Sequence, residues 1–221
     1  MKRVLTILAL ILTFCMGALA GGIASAGEGF KVFINGKELQ SNPPPLMYQG
    51  RIYVPLRAVS EYMGADANWD APYNTAYIAS QRDALSEIEI EGPSDFREMM
   101  IKSLEILRDR APDDYKFVGK YVRKIMVDDN ALKAFINVDT MTIHMERDYG
   151  MDEYWWAAEI VHEAQHAEQR YNVKNLSIEE AEMEAGRRDL ETLRRIGAPQ
   201  KYIDFAEKQM KTGWWDSPLT K

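Results

Sequence analysis

The spacing of apolar residues changes once along this chain, near residue 94. Before it, apolar and polar positions alternate in short runs. KVFI at 31–34 reads as a strand, Asn35-Gly36 as a tight hairpin turn and 37–39 as the return strand. Pro43-Pro44-Pro45 interrupts the pattern and RIYV at 51–54 resumes it. Pro55 opens a short helix over 56–63 that Gly64 ends, turns flank Trp69-Asp70 and Asn74-Thr75, and 76–79 is a closing strand. The stretch 81–93 is a charged connector with a brief alternation at Ile88 and Ile90 and a Gly92-Pro93 stop. After it the period is helical. Ser94 caps a helix over 95–110 with the stripe Met99, Met100, Leu104 and Leu107, a pattern of core packing. Pro112 starts a second helix that turns Tyr115, Val118, Tyr121, Val122 and Ile125 inward. Strands are predicted at 134–138 and 140–145, and helices over 152–172, 178–196 and 199–211. Ser177 and Glu180 form a capping box, Gly197 ends that helix and Pro199 opens the next. The fold class is therefore α+β: a small β-rich N-terminal module, then a mainly helical domain with a short sheet. The expected domains are 30–80 and 94–221.

Composition narrows the setting. The 221 residues are 46% hydrophobic and 28% charged, ordinary for a globular protein with a buried core. Residues 1–26 stand apart as a signal peptide, with basic Lys2 and Arg3, an apolar run from 4 to 12 and the small-residue site Ala24-Ser25-Ala26. Phe14 precedes Cys15 where a lipobox needs a small residue, which argues against lipidation. Of the 27 basic side chains, Lys2 and Arg3 leave with the leader, so 25 face 34 acids and the net charge is −9. Such a chain has no electrostatic affinity for nucleic acid or anionic lipid. Cys15 is the only cysteine, so the mature chain has none. An exported protein without disulfides relies on core burial and on any metal it binds, and points to a bacterial envelope. The expected location is secreted or cell-envelope associated, with no membrane span after cleavage.

The stretch 157–169 (AAEIVHEAQHAEQ) carries the chemistry. His162 and His166 lie one helical turn apart on one face and can share one metal ion, with Zn²⁺ the usual occupant. Glu163 projects about 100° round the helix from His162. It can lie beside the metal and take a proton from water that the metal has acidified. Ala164, Gln165 and Ala167 are uncharged, as a buried helix needs. A chance H-E-x-x-H on a surface helix, or a metal site without catalysis, would show the same residues.

No histidine follows His166, and Gln169 and Asn172 stand where a metzincin would have Gly and His. A third ligand from downstream must then be a carboxylate. On the helix over 178–196, Glu182 falls on an apolar stripe with Ile178, Ala185, Gly186, Leu193 and Ile196. Glu180, Glu184 and Arg187 fall on the opposite, solvated face. A buried Glu182 needs a partner, which a metal or an internal salt bridge supplies. Gly186 lets another helix approach. Asp189, two turns beyond Glu182 and also inward, is a candidate to orient a ligand histidine from the second coordination shell. His144 reads first as a structural or exposed histidine. Trp214-Trp215 reads as a cover for a core edge.

Two resemblances extend this reading. VFINGKEL followed by PPLMYQGRIYVPLRAVSEYMGADANWD resembles the copper amine oxidase N-terminal-like domain, a stalk module of secreted proteins of Gram-positive bacteria. Its stretch here has no His, no Cys and no metal-ligand spacing, so a spacer or attachment role is expected. Residues 155–200 resemble the gluzincins, more narrowly bacterial metallopeptidase-like proteins whose second glutamate motif reads E-x-E-A. Here that motif is Glu182-Met183-Glu184-Ala185. The resemblance implies a zincin-like domain and a zinc peptidase with His162, His166 and Glu182 as ligands and Glu163 as general base. It also implies that the strand before the metal helix holds an extended substrate by edge pairing. Gly186 departs from the acid often found after the third ligand, and the oxyanion-steadying residue has only Tyr202 and His144 as candidates. The partner expected is a peptide or protein, cell-wall associated or free. A non-catalytic envelope-binding protein on the same scaffold is the alternative.

Overall fold

A computed structural model describes residues 31–146 and 151–213. The signal peptide and Trp214-Trp215 lie outside them. The fold is α+β, with a small β-rich N-terminal region and a mainly helical remainder. Two compact units divide between Met63 and Gly64.

The first unit holds two hairpins and a helix. β1 (Phe33–Ile34) pairs antiparallel with β2 (Lys37–Glu38) across Asn35-Gly36, both at positive φ. β3 (Leu46–Tyr48) and β4 (Arg51–Tyr53) pair across Gln49-Gly50, also at positive φ. α1 (Leu56–Tyr62) returns to the first hairpin, where the Tyr62 hydroxyl donates to the Glu38 carbonyl at 2.8 Å. The same hydroxyl accepts the Gln40 N–H at 3.1 Å.

The second unit begins with a longer hairpin, β5 (Ala65–Asp70) with β6 (Thr75–Ser80). The alternation A-D-A-N-W-D buries Ala65, Ala67 and Asp70 and exposes Asp66. A short α2 (Ala84–Glu87), capped by Asp83, leads to β7 (Glu89–Glu91). α3 (Ser94–Arg110) and α4 (Pro112–Tyr121) follow. Phe96, Met100, Leu104 and Leu107 bury the inner face of α3 completely or nearly so. Ser94 is the first helical residue rather than the cap, since no side chain caps α3.

The sheet corrects one expectation. α4 stops at Tyr121, and the apolar residues after it form β8 (Lys124–Val127). β8 pairs parallel with both β7 and β10 (Thr142–Met145), and β9 (Phe135–Asn137) runs antiparallel on the far side of β10. The order is β7-β8-β10-β9. β8 (K-I-M-V) ends in three successive apolar residues, which show no period of two to distinguish it from a helix. The connector 81–93 is therefore part of this unit, through β7 and through the buried Ala84 and Ile88.

Three helices complete the unit: α5 (Glu153–Tyr171), α6 (Ile178–Ile196) and α7 (Gln200–Thr212). The Asp152 carboxylate caps α5 by accepting the Tyr154 and Trp155 N–H groups. α6 begins with the capping box of Ser177 and Glu180 and ends at Gly197, at φ 69°. The six-residue connection makes α5 and α6 an antiparallel hairpin. α5 is the buried centre, with Trp156, Ile160 and Val161 no more than 1% exposed. Burial of each is worth about 1.5–3 kcal/mol. Asp114 on α4 is 2% exposed and anchors α6 by accepting from Arg188, Arg195 and the Thr192 hydroxyl. No helix among the described residues is long and apolar enough to cross a membrane.

The expected result for this architecture is that a fragment of residues 64–221 melts cooperatively. A fragment of 94–221 lacks β7 and the buried Tyr77, Ala79, Ala84 and Ile88, and should melt at least about 5 °C lower. Thermal unfolding followed by circular dichroism checks this. Equal melting temperatures would place the domain boundary at 94.

Candidate metal centre

α5 presents His162 and His166 on one face, and α6, lying antiparallel beside it, presents Glu182 opposite them. Their donor atoms form a nearly regular triangle. His162 Nε2 and His166 Nε2 are 3.2 Å apart. Glu182 Oε2 lies 3.5 Å from the first and 3.7 Å from the second. Two donors about 2.0–2.2 Å from one tetrahedral Zn²⁺ lie about 3.3–3.6 Å apart, so these edges suit that ion. These three residues are the one group of His, Cys, Asp or Glu able to hold a metal among the described residues.

Hydrogen bonding favours the same reading. Gln169 Nε2 donates to the Ala181 carbonyl at 3.0 Å and to Glu184 Oε2 at 3.1 Å, which leaves its Oε1 as an acceptor. His166 Nδ1 sits 3.0 Å from that Oε1 and must carry the proton. Nε2 is then the nitrogen that faces the triangle. Glu182 Oε2 is shielded from solvent and has no hydrogen bond, its imidazole contacts being too long for one. A buried carboxylate oxygen without a hydrogen bond, facing two imidazole nitrogens, is a donor set suited to a cation.

The electrostatics follow from burial and mutual proximity. Burial disfavours charge on His162, yet Glu182 and the carboxylates of Glu159, Glu163 and Asp189 outweigh it and raise its pKa to about 9. Burial likewise works against the Glu182 carboxylate, and the two imidazoles overcome it, holding the group well below the usual carboxylate range. Glu159, one turn before His162, is pushed up to about 8 by burial, with neighbouring carboxylates adding to the effect and His162 opposing it. Burial raises Asp189 to about 6 against the opposing pull of His162.

The triangle opens on a cavity of about 360 Å³. Phe135, Ile136, Trp155, Phe205 and Met210 give it apolar walls. Glu163, 4% exposed, lies on the wall beside the histidines. Glu146, Glu159 and Asp189 line it as well.

Several expected placements differ. Ile178, assigned to the apolar stripe of α6, is 77% exposed, because the first turn of the helix extends beyond its neighbours. Glu184 does reach solvent, its side chain 36% exposed, but it also accepts from Gln169 and pairs with Lys174 at 2.8 Å. Asp189 is buried on the cavity wall and bonds neither ligand histidine, since two helical turns carry it past them. Gln169 performs the orienting role for His166, and its polar side chain at an inward position is the sequence signal that could have found it. α7 does reach Gly186, but an added Cβ would meet Met210 Cγ at an ordinary 3.6 Å, so close approach does not require the glycine. Neither oxyanion candidate lines the cavity. The Tyr202 hydroxyl accepts the Asp152 N–H at 3.3 Å, and His144 stacks on Phe135 with its Nδ1 3.0 Å from Asp128. His144 also lies on β10, which is paired on both sides. Among the described residues the edge strand near the cavity is β9, whose Phe135 and Ile136 line it.

Residues 33–92 match the family model described as "Copper amine oxidase N-terminal domain". The match crosses the division at Met63 and takes in β5, β6 and β7. No curated protein and no solved structure matches the chain.

Zinc content separates the neighbouring glutamates. His162→Ala, His166→Ala and Glu182→Ala should each purify without zinc, whereas Glu180→Ala keeps it and loses only a capping contact. Gln169→Ala should bind zinc about 10–100-fold more weakly. Glu184→Ala should weaken it less, because the Ala181 carbonyl still holds the Gln169 amide. Elemental analysis and chelator competition read these out. A zinc-replete Glu182→Ala would remove Glu182 from the ligand set.

Proposed function

We propose that the protein is an exported zinc-dependent hydrolase that cleaves peptide bonds. The observation that carries this reading is the convergence of His162, His166 and Glu182 at the floor of a cavity whose wall holds Glu163. His162 and His166 through Nε2, and Glu182 through its carboxylate, would hold the ion. Zn²⁺ bound there supplies Lewis acidity, polarising a carbonyl and lowering the pKa of water.

The chain's own residues do the rest. Glu163, buried beside the ligands, accepts a proton from the attacking water on its carboxylate oxygen and passes it to the leaving amine nitrogen. Gln169 keeps the His166 proton on Nδ1. The apolar walls of Trp155, Phe205 and Phe135 exclude bulk water and so strengthen electrostatic interactions inside the cavity. The edge strand β9 offers backbone N–H and C=O groups to an extended chain, which favours peptides over compact substrates. The first unit, which holds residues 33–63 of the family match, serves as the attachment or spacer module. With the leader removed, the protein acts outside the cell or at its envelope, where peptides of the cell wall are among the available substrates.

Glu163→Gln keeps the size and helical position of the side chain and removes the base. Turnover of a fluorogenic peptide pool should fall at least about 10²-fold while zinc content stays unchanged. Undiminished turnover in this variant would make Glu163 a bystander and count against the proposed reaction.

A further inference from the structure

The cavity contains more acidic side chains than the proposed reaction uses. Glu182 is spent on the metal and Glu163 on the proton, but Glu159 and Asp189 also line the cavity. The two lie on the same side of the metal ligands. Glu159 is three residues before His162 on α5, and Asp189 is seven after Glu182 on α6, which runs the opposite way. Asp189 is among the neighbours whose charge raises Glu159.

Among the described residues neither has a hydrogen-bond or salt-bridge partner, although Asp189 is only 8% exposed and Glu159 is partly buried. The arginine next to Asp189 is committed elsewhere: Arg188 reaches Asp114 and Gln165. Among the described residues the only Lys or Arg lining the cavity is Lys133, which is exposed at the rim. Carboxyl groups so placed hold on to their protons unless a cation joins them and favours the ionised form. A second metal is not that cation, because Glu159 and Asp189 are not part of any chelating group of three. A larger, hydrogen-bonding cation flanked by apolar surface suits the space better: Trp155, Phe205 and Met210 line the same cavity as the two acids.

We propose that Glu159 and Asp189 form a subsite for an organic ammonium group, so that the substrate is a peptide with a cationic group close to the scissile bond. The substrate class rests on the reading of the cavity as a peptide site; binding of the cation does not require turnover. The ammonium donates to both carboxylates in a desolvated pocket, and its carbon stem lies on the aromatic wall. Either a free N-terminus or a basic side chain supplies this chemistry.

Three small probes test the subsite on the zinc-loaded full chain. Nα-acetyl-lysine amide carries only the side-chain ammonium, norleucine amide only the α-ammonium, and Nα-acetyl-norleucine amide neither. Dissociation constants come from ligand-observed NMR titration. At least one cationic probe should bind tenfold or more tightly than the neutral one, and which one does so identifies the source of the charge. Glu159→Gln and Asp189→Asn, which preserve shape, should each reduce that preference, and the double variant should abolish it. Retained melting temperature and zinc content verify that the variants are folded and loaded. Equal binding of all three probes, or a preference that survives in the double variant, overturns the subsite. Peptide turnover is measured separately: cation binding without turnover upholds the subsite and counts against the peptidase reading, whereas turnover without cation preference does the reverse.

Discussion

Three donor atoms converging on one point are the constraint on which the second unit depends. Two imidazole nitrogens and a carboxylate oxygen within 3.7 Å of one another, mostly out of water, are costly without a cation among them. Holding them there requires the α5–α6 hairpin to keep its register. The buried face of α5 around Trp156 and Ile160 supplies that rigidity from below, and Asp114 fixes α6 through Arg188, Arg195 and Thr192 from the side. Gln169 ties the two helices together at the site itself, joining His166 on α5 to the Ala181 carbonyl on α6. The stability of the fold and the geometry of the site thus depend on many of the same residues.

The centre of the site was legible because helical periodicity converts directly into faces. Two histidines four apart define the face of α5, and projection of α6 separates Glu182 from Glu180 by two residues and half a turn. The supporting network was not legible, because it depends on which polar side chains the neighbouring helix meets. Gln169 and Glu184 look like surface residues until the hairpin brings them together. Glu159 looks like the acid of an ordinary amphipathic helix, and the cavity alone shows that it faces inward. Asp189 was correctly placed as inward, but its height along α6 takes it beyond the histidines.

Strands were harder than helices for a related reason. β8 shows no period of two because its last three residues are all apolar, and Val122 and Ile125 fit the preceding helical stripe equally well. β5 escaped notice because two aspartates and an asparagine in six residues resemble a turn. The alternation of Ile88 and Ile90 was visible, but its meaning came from β8 lying beside it. The N-terminal module was identifiable from its motif alone, yet its hairpins did not indicate that the compact units divide at Met63.

The sheet and the hairpin meet at the cavity, where the edge strand β9, the acidic wall and the three donors face the same space. The central claim is that His162, His166 and Glu182 together bind one zinc ion. Anomalous diffraction at the zinc edge, from crystals of the full chain grown with one equivalent of zinc, addresses it most directly. The expected result is a single strong peak about 2.0–2.2 Å from His162 Nε2, His166 Nε2 and a Glu182 carboxylate oxygen. No peak there, or a peak with Glu182 turned away from it, would contradict the claim.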